Sequence, residues 1–275
     1  MKITKIEQQK KHADRYSIYI DDQFYIGVNQ EVLIQFNLYK SQEVTQEFMD
    51  KVKTVENDSK LYSAAINYLS YGLRSVKEMR DYLYKQKEKK EDYNPSDEVI
   101  DATIERLLRQ GYLNDLAYAK SYVRTSYLLS AKGPQVITNN LKRKGVNEHT
   151  ITDALIEYPT DEQSENVKKL AEKFLRTKKS LPPKMLKNKL YSHLITKGFD
   201  KDLINFQLNE MTFEEAEENE ENLLEKEAEK YLKKHQRRHS GSDLKQKVTQ
   251  SLFGRGYDYQ LIKHWIEDNE TAFDK

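Results

Sequence analysis

Ile137-Thr138-Asn139-Asn140-Leu141-Lys142-Arg143-Lys144-Gly145-Val146-Asn147 is the stretch whose reading decides the fold, because its pattern returns twice further along the chain. The later copies centre on Lys197-Gly198-Phe199-Asp200 and Arg255-Gly256-Tyr257-Asp258. Apolar residues keep their place around each Gly. Ile137 and Leu141, Leu190 and Leu194, Val248 and Leu252 precede it; Ile151, Ile204 and Ile262, then Leu155, Leu208 and Ile266, follow it. Agreement at so many positions makes the chain a tandem repeat.

The physics of one copy can be read directly. Apolar residues four apart form the stripe of an amphipathic helix, and a Gly just beyond supplies the left-handed conformation that ends it. Lys144, Lys197 or Arg255 places a cation at the helix's negative end. The Val, Phe or Tyr then turns inward, and Asn147, Asp200 or Asp258 caps the next helix. Room remains upstream for one more helix, over Asp115 to Leu129, Asp161 to Arg176 and Phe213 to Arg237. The unit is therefore three helices, too small to bury its own apolar surface and obliged to stack on neighbours.

Lys60 to Gln110 repeats the layout in weaker form. Ser75-Val76-Lys77-Glu78 is a capping box opening its middle helix through Met79 and Leu83. A charged insertion, Lys87 to Pro95, stands where the Gly stop is expected. Before it the period changes to two: Tyr16, Ile18 and Ile20 alternate, Asp21-Asp22-Gln23 turns the chain, and Phe24, Ile26 and Val28 alternate again. A third strand is expected over Ile3 to Gln8, with short helices at Val32 to Phe36 and Phe48 to Val55. The expected architecture is mainly α: tandem three-helix repeats in an extended curved stack, preceded by a small α+β N-terminal module. The expected division is 1–58 for that module and 59–113, 114–159, 160–211 and 212–275 for four repeats.

With 275 residues the chain is longer than one compact core usually needs. No apolar run approaches the span of a bilayer and Met1-Lys2-Ile3-Thr4 opens no signal peptide, so a cytoplasmic protein without membrane contact is expected. The absence of Cys removes disulfides, thiol catalysis and thiolate metal sites. Net charge is only +1, but it is segregated. Leu116 to Asn147 holds Lys120, Arg124, Lys132, Lys142, Arg143 and Lys144 without an Asp or Glu, and from Lys168 to Phe199 only Glu172 opposes ten cations. Phe213 to Glu229 is Glu-rich, and Lys230 to Arg238 is basic again. In one run such cations are a solvated helix face; repeated in stacked units they can follow a phosphate backbone. Tyr118 and Tyr122, at helical spacing with Ala119 and Val123, read as core rather than as base-stacking rings.

Catalytic chemistry finds no support. His235 and His239 stand one turn apart in His-Gln-Arg-Arg-His, but no carboxylate lies between them and two cations would repel a metal. Gly254-Arg255-Gly256 lacks the further Gly of a dinucleotide loop and reads as a helix stop. No cofactor and no metal are expected.

The sequence also resembles the RecX family of RecA regulators. The resemblance is carried by Ala65 through Leu83 in the first copy. In the second it is carried by Gly111-Tyr112-Leu113-Asn114-Asp115, Tyr118-Ala119, Tyr122-Val123, Lys132-Gly133-Pro134 and Ile137 through Leu141 to Lys144-Gly145. The whole chain is similar in layout to the longer members from Gram-positive bacteria. Gly72, Leu73 and Ser126 depart from the family pattern. The resemblance implies a non-catalytic regulator of recombination and DNA repair, tied to the SOS response. It would be a monomer that binds the RecA filament on single-stranded DNA, with double-stranded DNA as a second ligand, and inhibits ATPase, extension and strand exchange. Arg74, Arg80, Arg124, Lys132, Lys142, Arg143 and Lys144 are the expected RecA- and DNA-binding residues. A helical-repeat scaffold that binds only proteins is the alternative.

Overall fold

The computed structural model describes residues 1–88, 95–178, 181–213, 216 and 219–273. It begins with an antiparallel sheet ordered β1 (Ile3–Gln9), β2 (His12–Ile20) and β3 (Gln23–Asn29). Asp21 and Asp22 both take positive φ, 48° and 65°, giving the tight turn whose twist matches that of the strands it joins. One face of the sheet carries Ile3, Ile18, Ile20 and Val28 into a core completed by Val32, Met49 and Val52. Asn29 ends β3 and caps α1 (Gln30–Gln35), its Oδ1 accepting from the Val32 amide at 2.8 Å. The short helix expected over Phe48 to Val55 is instead the first part of α2 (Gln46–Ser70), which runs unbroken into the first repeat.

The first repeat joins the second half of α2 to α3 (Val76–Glu88) and α4 (Asp97–Arg109) around Leu61, Ala65, Met79, Leu83, Ile100, Ile104 and Leu107. Its capping box closes as expected, Ser75 Oγ accepting from the Glu78 amide and Glu78 Oε2 from the Ser75 amide, both at 3.1 Å. Of the expected charged insertion, residues 89–94 lie outside the described residues. The later helices are α5 (Asp115–Ser130), α6 (Pro134–Arg143), α7 (Glu148–Leu155), α8 (Thr160–Thr177), α9 (Pro183–Lys197), α10 (Lys201–Glu210), α11 (Glu220–His235), α12 (Gly241–Gly254) and α13 (Tyr259–Asp268). The fold is thus mainly α, tandem three-helix repeats preceded by a small three-stranded module.

The recurring pattern predicts the packing. Ile137, Leu141, Leu190, Leu194, Val248, Leu252, Ile151, Ile204 and Ile262 are all buried, and so are Val146, Phe199 and Tyr257. Gly145, Gly198 and Gly256 are left-handed, with φ of 80°, 89° and 90°. Asn147, Asp200 and Asp258 accept from amides two or three residues on. The single helix expected over Phe213 to Arg237 is shorter. Phe213 is buried in non-helical chain, the described helix starts at Glu220, and Arg237 lies in the turn beyond it. Ala216 is itself helical and Asn219 lies in a turn. Glu214, Glu215, Glu217 and Glu218 lie outside the described residues.

The chain forms two compact units, residues 1–119 with 142–150, and residues 120–141 with 151–275. Inside each, successive repeats join in one way: the C-terminus of a middle helix meets the N-terminus of the preceding repeat's middle helix. In the first unit Ser75 Oγ, just before α3, donates to the Lys144 carbonyl at 2.7 Å, and Lys77 Nζ donates to the Arg143 carbonyl at 3.2 Å. In the second, the amides of Gly133 and Gln135 at the start of α6 donate to the carbonyls of Lys197 and Gly198, at 2.8 and 3.0 Å. Gly256, after α12, approaches Met185 at the start of α9. Such contacts satisfy amides and carbonyls that a helix cannot pair for itself, and they set opposite dipole ends together.

At the start of α12 the corresponding place is taken by the segment that follows α13. The Gly241 amide at the start of α12 donates to the Phe273 carbonyl at 2.9 Å. The Phe273 ring is fully buried and lies edge-on to Trp265 at 6.3 Å. Among the described residues no helix is long and apolar enough to cross a membrane.

Candidate nucleic-acid interface

The seven cations singled out in the sequence have different surroundings. Arg74, Arg80, Lys142, Arg143 and Lys144 fall in the first compact unit, Arg124 and Lys132 in the second. Arg74 stands two residues before α3 and lies over the Tyr68 ring at 4.5 Å, while Tyr68 stacks face to face on Tyr82 at 4.0 Å. Its Nε is buried with no hydrogen-bond partner. Arg143, at the end of α6, is exposed, and Lys132, in the α5–α6 loop, is half-buried; neither makes an ion pair among the described residues.

The other four cations are engaged. Arg80 on α3 pairs with Asp101 on α4. Arg124 shares Glu157 with Lys120, at 3.0 and 3.2 Å, and Lys142 meets Glu148 at 2.8 Å. Lys144 reaches back across the repeat junction to Glu78 at 2.5 Å. Partial burial disfavours the charged forms of this last pair, but hydrogen bonding outweighs it. The Glu78 carboxyl is held below the usual range by Lys144 and the Ser75 amide, and the Lys144 ammonium is held above its own by Glu78 and Tyr118. Lys144 is therefore a junction residue before it is a ligand-binding one.

The second basic run is more open. Lys169 and Arg176 bond Glu165 and Glu172 on their own helix, whereas Lys168, Lys173, Lys189 and Lys197 have no ion pair among the described residues. Lys187 stands over the ring of Phe213 at 4.5 Å. Tyr118 is buried as expected, whereas Tyr122 is half-buried rather than core.

Sequence reasoning missed the carboxylates. Glu78 was visible as a capping-box residue, but its use by a lysine 66 positions later was not. Asp101, Glu148 and Glu157 neutralise cations through turns and neighbouring helices, which leave no spacing signal. Among the described residues no group of three or more His, Asp or Glu is placed to hold a metal.

Family models for RecX match along the chain: the regulatory protein RecX N-terminal domain over residues 1–45, the first three-helix domain over 62–107, the second over 114–155, and the third over both 161–207 and 218–266. The chain is 34% identical over 275 residues to regulatory protein RecX of Listeria monocytogenes serotype 4b (strain CLIP80459), covering 100% of this chain and 99% of that one. It is 34% identical over 269 residues to regulatory protein RecX of Bacillus subtilis (strain 168), covering 98% of each. Among solved structures, a crystal structure of regulatory protein RecX superposes with a TM-score of 0.66 at 34% identity, over 76% of this chain and 98% of that one. RecX from Lactobacillus salivarius superposes with a TM-score of 0.52 at 38% identity, over 57% of this chain and 97% of that one.

Proposed function

The chain belongs to the RecX family of regulatory proteins, and on that premise we propose that it is a non-catalytic regulator of homologous recombination that binds the RecA filament on single-stranded DNA and inhibits its ATPase, extension and strand exchange. Full-length similarity to regulators carries the reading. The recurrence of cations without carboxylate partners in successive repeats supports it, since such charges retain their full attraction for phosphate or for an acidic protein surface.

Within the seven residues first singled out, Arg74, Lys132 and Arg143 make the primary contacts. Arg80, Arg124, Lys142 and Lys144 contribute only by exchanging a carboxylate for the ligand, which costs part of the binding energy. The working division is a module at 1–58 and repeats at 59–113, 114–159, 160–211 and 212–275, acting as a cytoplasmic monomer.

The test is the ATPase rate of a cognate RecA filament on single-stranded DNA, titrated with the protein at two salt concentrations. The wild type should inhibit, and R74E/K132E/R143E should not, while its circular dichroism shows that it keeps its helices and its melt remains cooperative. Full inhibition by that folded variant would refute the residue assignment. No effect of the wild type at either salt would refute the reading and leave the protein-only scaffold.

A further inference from the structure

The basic segment after the Glu-rich run belongs to none of the residues assigned above, and it has a geometry of its own. Tyr231, His235 and His239 are spaced by one turn and share a face of α11 and the turn that follows it. The Tyr231 and His235 rings lie nearly parallel, 16° apart with centroids at 6.1 Å, and His239 follows at 6.2 Å. Arg255, the cation beside the last Gly stop, closes the other end: its Nε donates to the Tyr231 hydroxyl at 3.0 Å and its guanidinium lies 5.9 Å from that ring.

From α12, Ser251 Oγ lies 3.0 Å from His235 Nε2 while donating to the Lys247 carbonyl. That hydroxyl is left to accept, so neutral His235 carries its proton on Nε2 and takes up a second on Nδ1. The groups facing His235 are Lys234, Tyr231 and His239 from its own element and Lys247 and Ser251 from α12. Lys234, Arg237 and Arg238 are exposed and, like Lys247, have no ion pair among the described residues. Glu229 is held by Lys233 and Asp243 by His239, while Glu227 bonds Lys230 through Oε1 only, its buried Oε2 has no hydrogen-bond partner, and its charge acts on Arg255.

We infer that Arg255, His235, Lys234, Arg237, Arg238 and Lys247 form a phosphate-contacting site in the fourth repeat that takes single-stranded DNA and tightens as pH falls. The inference rests on the reading of the protein as a regulator acting on DNA-bound filaments, and it adds a second contact region with its own pH control. A single strand is the occupant because the filament of the proposed function is built on one, and its phosphates suit this patch of cations.

The pH dependence follows from the surroundings of His235. Burial, then Lys234, His239 and Lys247, disfavour its protonation and hold it below the ordinary imidazole range. A bound phosphate compensates those cations and reverses the penalty. Binding therefore takes up a proton, and affinity rises as pH falls.

The test is fluorescence anisotropy of a labelled oligo-dT strand with the full chain at pH 7.5 and 6.0 over a salt series, run beside the RecA ATPase assay. The wild type should bind several-fold more tightly at pH 6.0, and H235Q should lose that gain while H12Q keeps it. K234A/R237A/R238A, all exposed, should weaken binding and lower the slope of log affinity against log salt by about 2, at roughly 0.7 per contact on a single strand. Wild-type affinity and slope in the triple variant would overturn the inference, as would equal binding of duplex or polyglutamate. If that variant keeps both DNA binding and RecA inhibition, the inference fails while the proposed function stands. If the wild type neither binds oligo-dT nor affects RecA, both fail.

Discussion

At Gly198 the φ of +89° and the 2.5 Å between a built Cβ and the Val136 nitrogen act together. The residue ends α9, and its missing side chain lets the start of α6 close over it. G198A should incur about 1–2 kcal/mol for the left-handed backbone and about 1–3 kcal/mol for overpacking against main chain. Gly111 separates the two costs, since it is also left-handed at φ 75° but has open space around it. G111A should show only the smaller loss, and urea denaturation of both variants makes the comparison; equal losses would refute the close-packing account. Glu78 carries a pH signature. Its depressed carboxyl contributes stability that is complete above the unperturbed value of 4.5 and is lost as pH falls through the lower folded value. Lys144, raised in the fold, stays charged across that range, so the loss belongs to Glu78. Thermal melts from neutral to acidic pH should show E78Q less stable at neutrality and less sensitive to acid than the wild type.

Two elements took forms that local pattern did not announce. The middle of α2 reads Glu56-Asn57-Asp58-Ser59-Lys60, a polar run that looks like a linker. It stays helical because Glu56 turns inward, fully buried, where its carboxylate takes Arg15 at 2.8 Å and the Asn29 amide at 2.8 Å. Arg15 is partly exposed and keeps the Gly27 carbonyl, so E56A acts mainly by stranding the Asn29 amide at a fully buried site and should destabilise the N-terminal module by about 1–3 kcal/mol. Calorimetry of the full chain would register this as a lowered first transition. The last segment is the second case. F273A removes a buried ring from the place where other repeats receive a neighbour, and should cost about 3–5 kcal/mol. A near-neutral F273A would mean that this segment merely lies against α12.

Within each compact unit, a repeat is joined to its neighbour in sequence where the end of one middle helix meets the start of the preceding one, by side-chain or amide donors to carbonyls or by close approach. Stability in such a chain is a sum of local terms, so a lesion in one repeat need not unfold the rest. Amide exchange on F273A should therefore show protection lost in α11, α12 and α13 while the sheet and α3 keep theirs. Uniform loss would make the chain one cooperative unit instead. Distributed charge has the same logic: binding spread over several repeats is weakened in steps by charge changes in one of them.

The three-helix repeat, its Gly stops, its caps and its buried stripes were legible in the sequence because each depends on spacing within about a dozen residues, where the period of the helix dictates what faces inward. The antiparallel sheet was legible for the same reason, with period two. The RecX family was legible from the same repeats. Tertiary structure alone decided which cations are spent and which are free. Glu78 with Lys144, Glu157 with Arg124, and Arg255 with Tyr231 join residues 66, 33 and 24 positions apart. Nothing periodic links such partners, because ion pairing depends on where whole helices are placed and not on how each one turns.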